Sequence, residues 1–214
     1  MEHSIGRYAV TGELARGGMG IVYAAWDQQR KRCVALKLVR PGETIRGTRL
    51  ARLRREGRLS GRLEHPTLVP VFASGVYDGE PYVVFEYVAR ARRLSEVAER
   101  LTSSAKIRLI RDVAGGLGHA HAKGVVHRDV KPANILISRD GERAKLMDFG
   151  VAILKDLGEF EHMVFQTIEG GATGTPQYMS PEQAAGDAIT PSSDLYSMAL
   201  VLYVCLSGRL PYES

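Results

Sequence analysis

Residues 125–134 form a short polar stretch that is bounded by apolar residues on both sides. The stretch carries a carboxylate, a cation and an amide at Asp129, Lys131 and Asn134. Valines precede these groups and the apolar run 135–137 follows them, so both ends of the stretch are expected to be anchored in a core. A loop anchored in this way holds its polar side chains in one geometry. The stretch is therefore predicted to be a site loop.

The composition is that of a globular protein. A chain of 214 residues can bury a sizeable core, as one large domain or as two lobes. The net charge of +5 suits phosphate-bearing ligands, but no aromatic residues are interleaved with the basic ones, so nucleic-acid binding is not predicted. Cys33 and Cys205 lie in apolar runs and are predicted to be reduced core residues, not a disulfide or metal ligands.

The N-terminal residues are polar, and no apolar signal segment is seen there. The longest apolar run, residues 198–206, is too short to cross a bilayer. We therefore expect a cytoplasmic chain with no membrane segment, and a membrane tether in a longer parent protein stays open.

Hydrophobic periodicity divides the chain into a strand-rich front and a helical back. Strands are predicted over 8–15, 21–25, 33–39, 68–77 and 81–88, and helices over 44–63, 104–123 and 192–206. Asp78 and Gly79 form a turn signal between the last two strands, and Ser192 is the predicted N-cap of the last helix. The predicted fold class is α+β with two lobes, residues 1–89 and 90–214. A ligand is expected in the crevice between the lobes.

Three further segments carry phosphate or metal chemistry. Residues 14–22 read L-A-R-G-G-M-G-I-V, and glycines let backbone N–H groups approach phosphates, although a plain hairpin turn would use them too. Residues 34–37 read V-A-L-K, which places a lysine at the end of an apolar strand, where by itself it is simply a solvated strand end. Residues 148–150 read D-F-G, and the carboxylate of Asp148 suits a hard cation.

These segments and the H-R-D-V-K-P-A-N loop, taken in this order, resemble the catalytic domain of serine/threonine protein kinases of the bacterial, eukaryotic-like type. The resemblance covers about residues 8–212. It implies a two-lobed kinase fold, with an antiparallel sheet and one helix in the first lobe and mainly helices in the second. It also implies ATP and Mg²⁺ as cofactors, with Mn²⁺ as an alternative, and transfer of the ATP γ-phosphoryl group to Ser or Thr hydroxyls of proteins.

The resemblance assigns catalytic roles residue by residue. Asp129 would accept or orient the proton of the substrate hydroxyl, and Lys131 would stabilise the phosphoryl group in transit. Asn134 and Asp148 would bind the metal. Thr175 would bond Asp129 and Lys131 from the far end of the next segment. His127 is expected to be structural, with its ring packed in the core.

The resemblance also assigns a nucleotide site. Lys37 would pair the phosphates and would itself be held by Glu56, whose alternative is an intrahelical pair with Arg52. Ala35 and Leu136 would pack above and below the adenine. The implied nucleotide-binding residues are Leu14, Gly17, Gly18, Gly20, Val22, Ala35, Lys37, Glu56, Glu86, Val88 and Leu136.

Two features depart from the family's usual pattern and bear on affinity and specificity. Ala15 replaces the first glycine of the family's loop, which affects the expected nucleotide affinity. Arginines stand at Arg90, Arg92 and Arg93, where many kinases carry an acidic residue near the ribose. This argues against a preference for basic protein substrates and is compatible with neutral or acidic ones.

Residues 151–182 resemble an activation segment that ends in G-T-P-Q-Y-M-S-P-E-Q. Arg128 suggests control by a phosphate–arginine pair. Thr167 is the predicted main phosphorylation site and Thr173 the second, modified within a kinase–kinase dimer. The alternative is a disordered polar loop.

Asp194 would accept backbone N–H bonds from the catalytic loop at His127 and Arg128. The family's domain continues through further helices beyond Tyr212, including an arginine that pairs with the residue matching Glu182. We therefore expect a C-terminally truncated domain, either a fragment or a natural short form, with Glu182 as a buried, unpaired carboxylate.

Two other functions compete with the protein kinase. One is a non-catalytic module that binds nucleotide or partners without turnover, favoured by Ala15 and the missing helices. The other is a small-molecule phosphotransferase, disfavoured by Lys131 and by the segment that contains Thr175 and Glu182. Intact Lys37, Asp129, Asn134 and Asp148 favour the protein kinase.

Overall fold

The computed structural model describes residues 4–17, 20–39, 63–149 and 176–212. These residues form two compact units. The first unit comprises the described residues up to Leu63 together with Pro70–Tyr87, and the second comprises Glu64–Val69 and the described residues from Val88 onward. The lobe boundary between residues 89 and 90 stays a prediction. None of the helices in the described ranges is long and apolar enough to cross a membrane.

The first unit is a six-stranded antiparallel sheet. Its strands are β1 (Ser4–Ile5), β2 (Tyr8–Gly17), β3 (Gly20–Asp27), β4 (Arg32–Val39), β5 (Val71–Tyr77) and β6 (Glu80–Glu86). Their order across the sheet is β1-β2-β3-β4-β6-β5. The predicted turn at Asp78 and Gly79 joins β5 to β6, and both residues have positive φ, 50° and 80°, as a two-residue hairpin requires.

One face of this sheet carries the apolar core of the unit. The core cluster consists of Ile5, Tyr8, Ala25, Val34, Leu36 and Val84. Successive side chains of a strand point to opposite faces, so on β4 the buried Val34 and Leu36 place their neighbours on the other face. Cys33 lies on that other face near the start of β4, opposite the exposed Trp26, and is itself exposed, so the prediction that it is a core residue was wrong. Cys205 is buried, as predicted.

The second unit combines a small sheet with helices. It contains β7 (Arg92–Arg93), α1 (Leu94–Val97), α2 (Ser103–Ala122), β8 (Ile135–Ile137), β9 (Ala144–Leu146), α3 (Pro181–Ala185) and α4 (Pro191–Ser207). The strand order is β7-β8-β9, and α2 packs against α4. The buried side of α2 is formed by Leu109, Ile110, Val113, Gly116, Leu117 and Ala120, at helical spacing.

The start of α4 differs from the prediction. Thr190, not Ser192, is the N-cap, because Pro191 occupies the first helical position, where its missing N–H costs nothing. The side chain of Ser193 accepts the Thr190 N–H at 3.2 Å. The predicted helix over 44–63 lies outside the described residues except for Leu63, which is buried.

The segment Glu64–Val69 docks between β9 and α2. The Leu146 N–H donates to the Thr67 carbonyl at 2.8 Å, and the Val69 N–H donates to the Leu146 carbonyl at 2.8 Å. Gly116 of α2 permits this close approach, because an added Cβ would lie 2.8 Å from Leu68 Cδ2 and would also meet Thr67 Oγ1. The segment is thereby fixed to the strand that leads to Asp148.

Candidate active site

Three polar side chains of the catalytic loop meet at Asp129. A 3₁₀ turn over Pro132–Asn134 brings Asn134 back toward it. Asn134 Nδ2 donates to Asp129 Oδ2 at 3.0 Å and to the Asp129 carbonyl at 2.8 Å. Lys131 Nζ lies 3.0 Å from Asp129 Oδ1. The carboxylate is thus oriented by an amide on one oxygen and a cation on the other, and its side chain remains partly exposed.

The His127 ring is buried and joins the loop to Met147, the residue that follows β9. Its Nδ1 accepts the Asp129 N–H at 3.2 Å, and its Nε2 lies 2.8 Å from the Met147 carbonyl. These partners require an acceptor at Nδ1 and a donor at Nε2, which is the neutral Nε2–H tautomer. The ring also meets Phe149 edge-to-face, with centroids 4.6 Å apart. His127 is therefore structural, in agreement with the prediction.

A backbone hydrogen bond links the residue before Asp148 to Asn134. The Met147 N–H donates to the Asn134 carbonyl at 2.9 Å, so the residue before Asp148 is bonded directly to the other predicted metal ligand. Asp148 is 9% exposed and has a φ of 76°, in the left-handed region. A residue with a Cβ adopts that region at a cost of about 1–2 kcal/mol. Such strain at a polar residue is typical of a functional site.

Asp194 holds the loop from helix α4, as predicted. Its Oδ2 accepts the His127 N–H at 2.7 Å and its Oδ1 accepts the Arg128 N–H at 2.8 Å. Arg128 needs this support because its φ is 68°, also left-handed. Asp194 lies in the first turn of α4, where the helix dipole favours a negative charge.

Sequence reasoning missed His121, whose Nε2 lies 2.7 Å from Asp194 Oδ2. A signal was present, because His121 follows the buried Leu117 by four positions and so lies near the packed side of α2.

The prediction for Glu182 was wrong. Glu182 is only partly buried, and its Oε1 accepts a hydrogen bond from the Ser193 hydroxyl. That hydrogen bond is the main cause that lowers the pKa of Glu182. The Glu182 carboxylate therefore has a hydrogen-bond donor within the described residues. That donor, Ser193, also accepts the N–H of Thr190, the N-cap of α4.

The predicted phosphate and adenine residues of the first unit share one face of its sheet. Lys37 is directly opposite Val22 on β3 and Val83 on β6, and Ala35 is opposite Phe85. Opposed residues of antiparallel strands point to the same side. This is the face opposite the apolar cluster, and Lys37 is nevertheless buried there, at 7% exposure.

The remaining predicted nucleotide residues lie at a register shift, at strand ends, beyond a strand and, for Leu136, within a strand. Leu14 lies at a register shift of β2 and is exposed, and Gly17 pairs with Gly20 at the end of the β2–β3 hairpin. Glu86 ends β6, and its N–H is already donated to the Pro70 carbonyl at 3.0 Å. Val88 follows it, and Leu136 is the middle residue of β8.

Five predicted residues lie outside the described ranges: Gly18, Glu56, Thr167, Thr173 and Thr175.

The side chains of Asp148 and Asn134 fit a hard divalent cation that would be shared with phosphate oxygens. Asp148 offers carboxylate oxygens, and Asn134 offers its amide oxygen, since both bonds to Asp129 use Nδ2. Magnesium is commonly bound by one or two such groups together with phosphates. Within the described ranges, no group of three or more His, Cys, Asp or Glu residues gathers into a separate metal site.

Comparisons with known proteins agree with this geometry. The chain is 39% identical over 212 residues to the serine/threonine-protein kinase PknD of Mycobacterium tuberculosis, an alignment that covers 98% of this chain and 31% of PknD. It is 38% identical to PknH of Mycobacterium bovis, covering 98% and 34% of the two chains. The chain thus spans about a third of the length of these curated relatives.

A solved structure shows the same fold. The crystal structure of the Mycobacterium tuberculosis PknI kinase domain matches with a TM-score of 0.77 and 25% identity, over 99% of this chain and 79% of that one. The family model for the protein kinase domain matches residues 8–214. Members of this family generally use ATP and a divalent metal. On this evidence the chain belongs to the protein kinase domain family.

Proposed function

We propose that this chain is the catalytic part of a serine/threonine protein kinase that transfers the ATP γ-phosphoryl group to Ser or Thr hydroxyls of proteins. The observation that carries the proposal is the arrangement of Lys131 and Asn134 around the Asp129 carboxylate. Phosphoryl transfer needs positioning and charge neutralisation more than covalent help. An oriented acid beside a fixed cation supplies both.

Each of the predicted catalytic and metal-binding residues has one task in this mechanism. Asp129 accepts or orients the proton of the substrate hydroxyl. Lys131 stabilises negative charge on the phosphoryl group as it passes between oxygens. Asp148 and Asn134 would hold Mg²⁺, or Mn²⁺ with the same oxygen ligands, and the metal would neutralise phosphate charge. Thr175 would bond Asp129 and Lys131.

In the first unit, Lys37 would pair the phosphates, with Glu56 as its partner. Val22 and Ala35 share the face of Lys37, which supports a nucleotide packed there. The full nucleotide set remains that assigned by resemblance, with lobes over 1–89 and 90–214. Because the Glu86 N–H is engaged by Pro70, an adenine edge would use other backbone groups of this strand end and of Val88.

The proposed partners are ATP, a protein substrate and a second copy of the kinase that phosphorylates Thr167 and Thr173. Arg90 and Arg92 are exposed, which supports a neutral or acidic substrate, although Arg92 also lies 3.7 Å from Glu96. We propose a cytoplasmic site of action, with a tether in a longer parent protein left open.

The test is transfer from labelled ATP to a general protein substrate and to the chain itself. We expect signal from the parent and at least a hundredfold less from Asp129→Asn and Asp148→Asn, since each removes a charge at the reacting group. Asp78→Asn is the matched control, because it makes the same change in an exposed turn where asparagine tolerates the positive φ. Equal signal from all four proteins defeats the kinase function.

A non-catalytic binding module is the second candidate, and Ala15 in place of a loop glycine is the observation that favours it. Calorimetric binding of ATP with magnesium, in the absence of any transfer by the parent, would favour this module. Phosphate on Thr167 in an active preparation, seen by mass spectrometry, supports the kinase.

A further inference from the structure

The side-chain amide of Gln183 bridges its own helix start at Ser180 and the backbone of Arg128, which precedes Gln183 by 55 positions. Gln183 is the third residue of α3. Its Nε2 donates to the Arg128 carbonyl at 2.9 Å, and its Oε1 accepts the Ser180 N–H at 3.1 Å. Because a carbonyl can only accept and an N–H can only donate, the two partners fix which end of the amide faces which segment.

The carbonyl that Gln183 binds belongs to the peptide unit between Arg128 and Asp129. The N–H of the same unit donates to His127 Nδ1 at 3.2 Å. Two side chains therefore hold the two ends of one planar group. Rotation of this peptide would break both hydrogen bonds and would turn the backbone from which the Asp129 side chain projects.

Arg128 itself is held on both sides. Its N–H is bonded by Asp194 and its carbonyl by Gln183. A left-handed arginine persists only where its surroundings enforce that conformation. Asp194 enforces it from α4 and Gln183 enforces it from α3, so the loop geometry depends on the helix that begins within the S-P-E sequence.

We propose that Gln183 is a positioning residue for Asp129. Its side chain couples the start of α3 to the catalytic loop. The inference rests on the proposed kinase function and deepens it. The competing role is local, since Gln183 also completes a capping box with Ser180. A glutamate would serve the capping box equally well, whereas only a donor can hold the Arg128 carbonyl.

Two substitutions separate these roles. Gln183→Glu keeps the acceptor for Ser180 and removes the donor to Arg128, whereas Gln183→Lys keeps a donor and removes the acceptor. If Gln183 positions Asp129, Gln183→Glu lowers kcat about tenfold with KM for ATP unchanged, and Gln183→Lys keeps kcat within about twofold with a lower Tm. Gln28→Glu is the control, with the same charge change in an exposed turn.

The opposite pattern, full kcat in Gln183→Glu and loss in Gln183→Lys, overturns the proposal in favour of the cap alone. Full kcat in both variants also overturns it. Should Gln183→Glu not fold, Gln183→Lys alone decides, because a tenfold loss of kcat there contradicts a role for the donor.

Amide hydrogen exchange of residues 125–134 gives a second readout that does not require activity. We expect faster exchange at Asp129 in Gln183→Glu than in the parent and in Gln28→Glu. Unchanged exchange overturns the proposal. If the parent transfers no phosphate, the kinase function fails, and the exchange result still decides the role of Gln183.

Discussion

Asp194 and His121 lie 73 residues apart in the chain, and His121 Nε2 is 2.7 Å from Asp194 Oδ2. The same carboxylate accepts the backbone N–H groups of His127 and Arg128. One buried side chain, 1% exposed, therefore joins helix α2, the catalytic loop and helix α4. Its contacts make the loop's geometry a property of the helical unit rather than of the loop's own sequence.

Asp194→Ala should be among the most destabilising substitutions in the described residues. It strands two backbone N–H groups and one ring nitrogen, and each buried unsatisfied group costs about 1–3 kcal/mol. We expect the free energy of unfolding to fall by about 3 kcal/mol or more, measured by urea denaturation. His121→Phe removes only one of the three partners and should cost about 1 kcal/mol. Asp187→Asn, at an exposed position, is the control, and equal losses in all three would contradict this account.

Three glycines of helix α2 should respond in opposite ways to alanine. Gly116→Ala should destabilise the protein, because its Cβ would meet the backbone-fixed segment at Thr67 and Leu68. At Gly115 and Gly118 an added Cβ meets nothing within 4 Å. Alanine at those two sites should raise the free energy of unfolding by up to about 1 kcal/mol through helix propensity. Thermal unfolding of the three variants checks the order, and a stabilised Gly116→Ala would refute the close packing.

Stability should fall on mild acidification through His65. Burial and the nearby ring of His119, 5.3 Å away between centroids, lower the pKa of His65 from its ordinary 6.5. Just below pH 6.5, His65 is therefore protonated more readily in the unfolded chain than in the folded protein. The contribution of His65 to the free energy of unfolding is therefore complete above pH 6.5. It decreases as the pH drops below 6.5 and levels off below the pKa of His65 in the folded protein.

His65→Asn should flatten that part of the pH profile, because asparagine can still accept the Thr67 N–H but does not titrate. Urea midpoints measured from about pH 5 to pH 8 for the parent and this variant provide the comparison. Parallel profiles for the two proteins would show that other groups cause the acid loss.

The two cysteines should react at very different rates. Cys33 is exposed, whereas Cys205 is buried in α4 and burial raises the pKa of its thiol. Because the thiolate is the reactive form, Cys205 should be modified slowly in the folded protein. Titration with a chromogenic disulfide should give one fast thiol, absent in Cys33→Ser, and a second only in denaturant. A fast second thiol in the folded protein would contradict the packing of α4.

The resemblance of the loop and of the start of α4 to the kinase family was enough to predict how Asp194 holds His127 and Arg128. The partners that sequence reasoning missed, His121 and Gln183, are ordinary residues whose roles arise from helix packing over 73 and 55 positions. The choice of Thr190 over Ser192 as cap depended on Pro191, one of several equivalent signals in a hydroxyl-rich stretch. Cys33 is different. Alternation places it on the face opposite Val34 and Leu36, but that face also buries Lys37, so the exposure of Cys33 follows from its place near the start of β4, opposite the exposed Trp26.

The separation between Arg128 and the residues that hold it also sets an order of events during synthesis. The catalytic loop leaves the ribosome before Gln183 and Asp194 are made, since they follow Arg128 by 55 and 66 positions. Until helix α4 has docked, the left-handed arginine lacks its support and is free to relax to an ordinary backbone conformation. The loop around Asp129 is therefore expected to acquire its final geometry late, after the sheet of the first unit has formed.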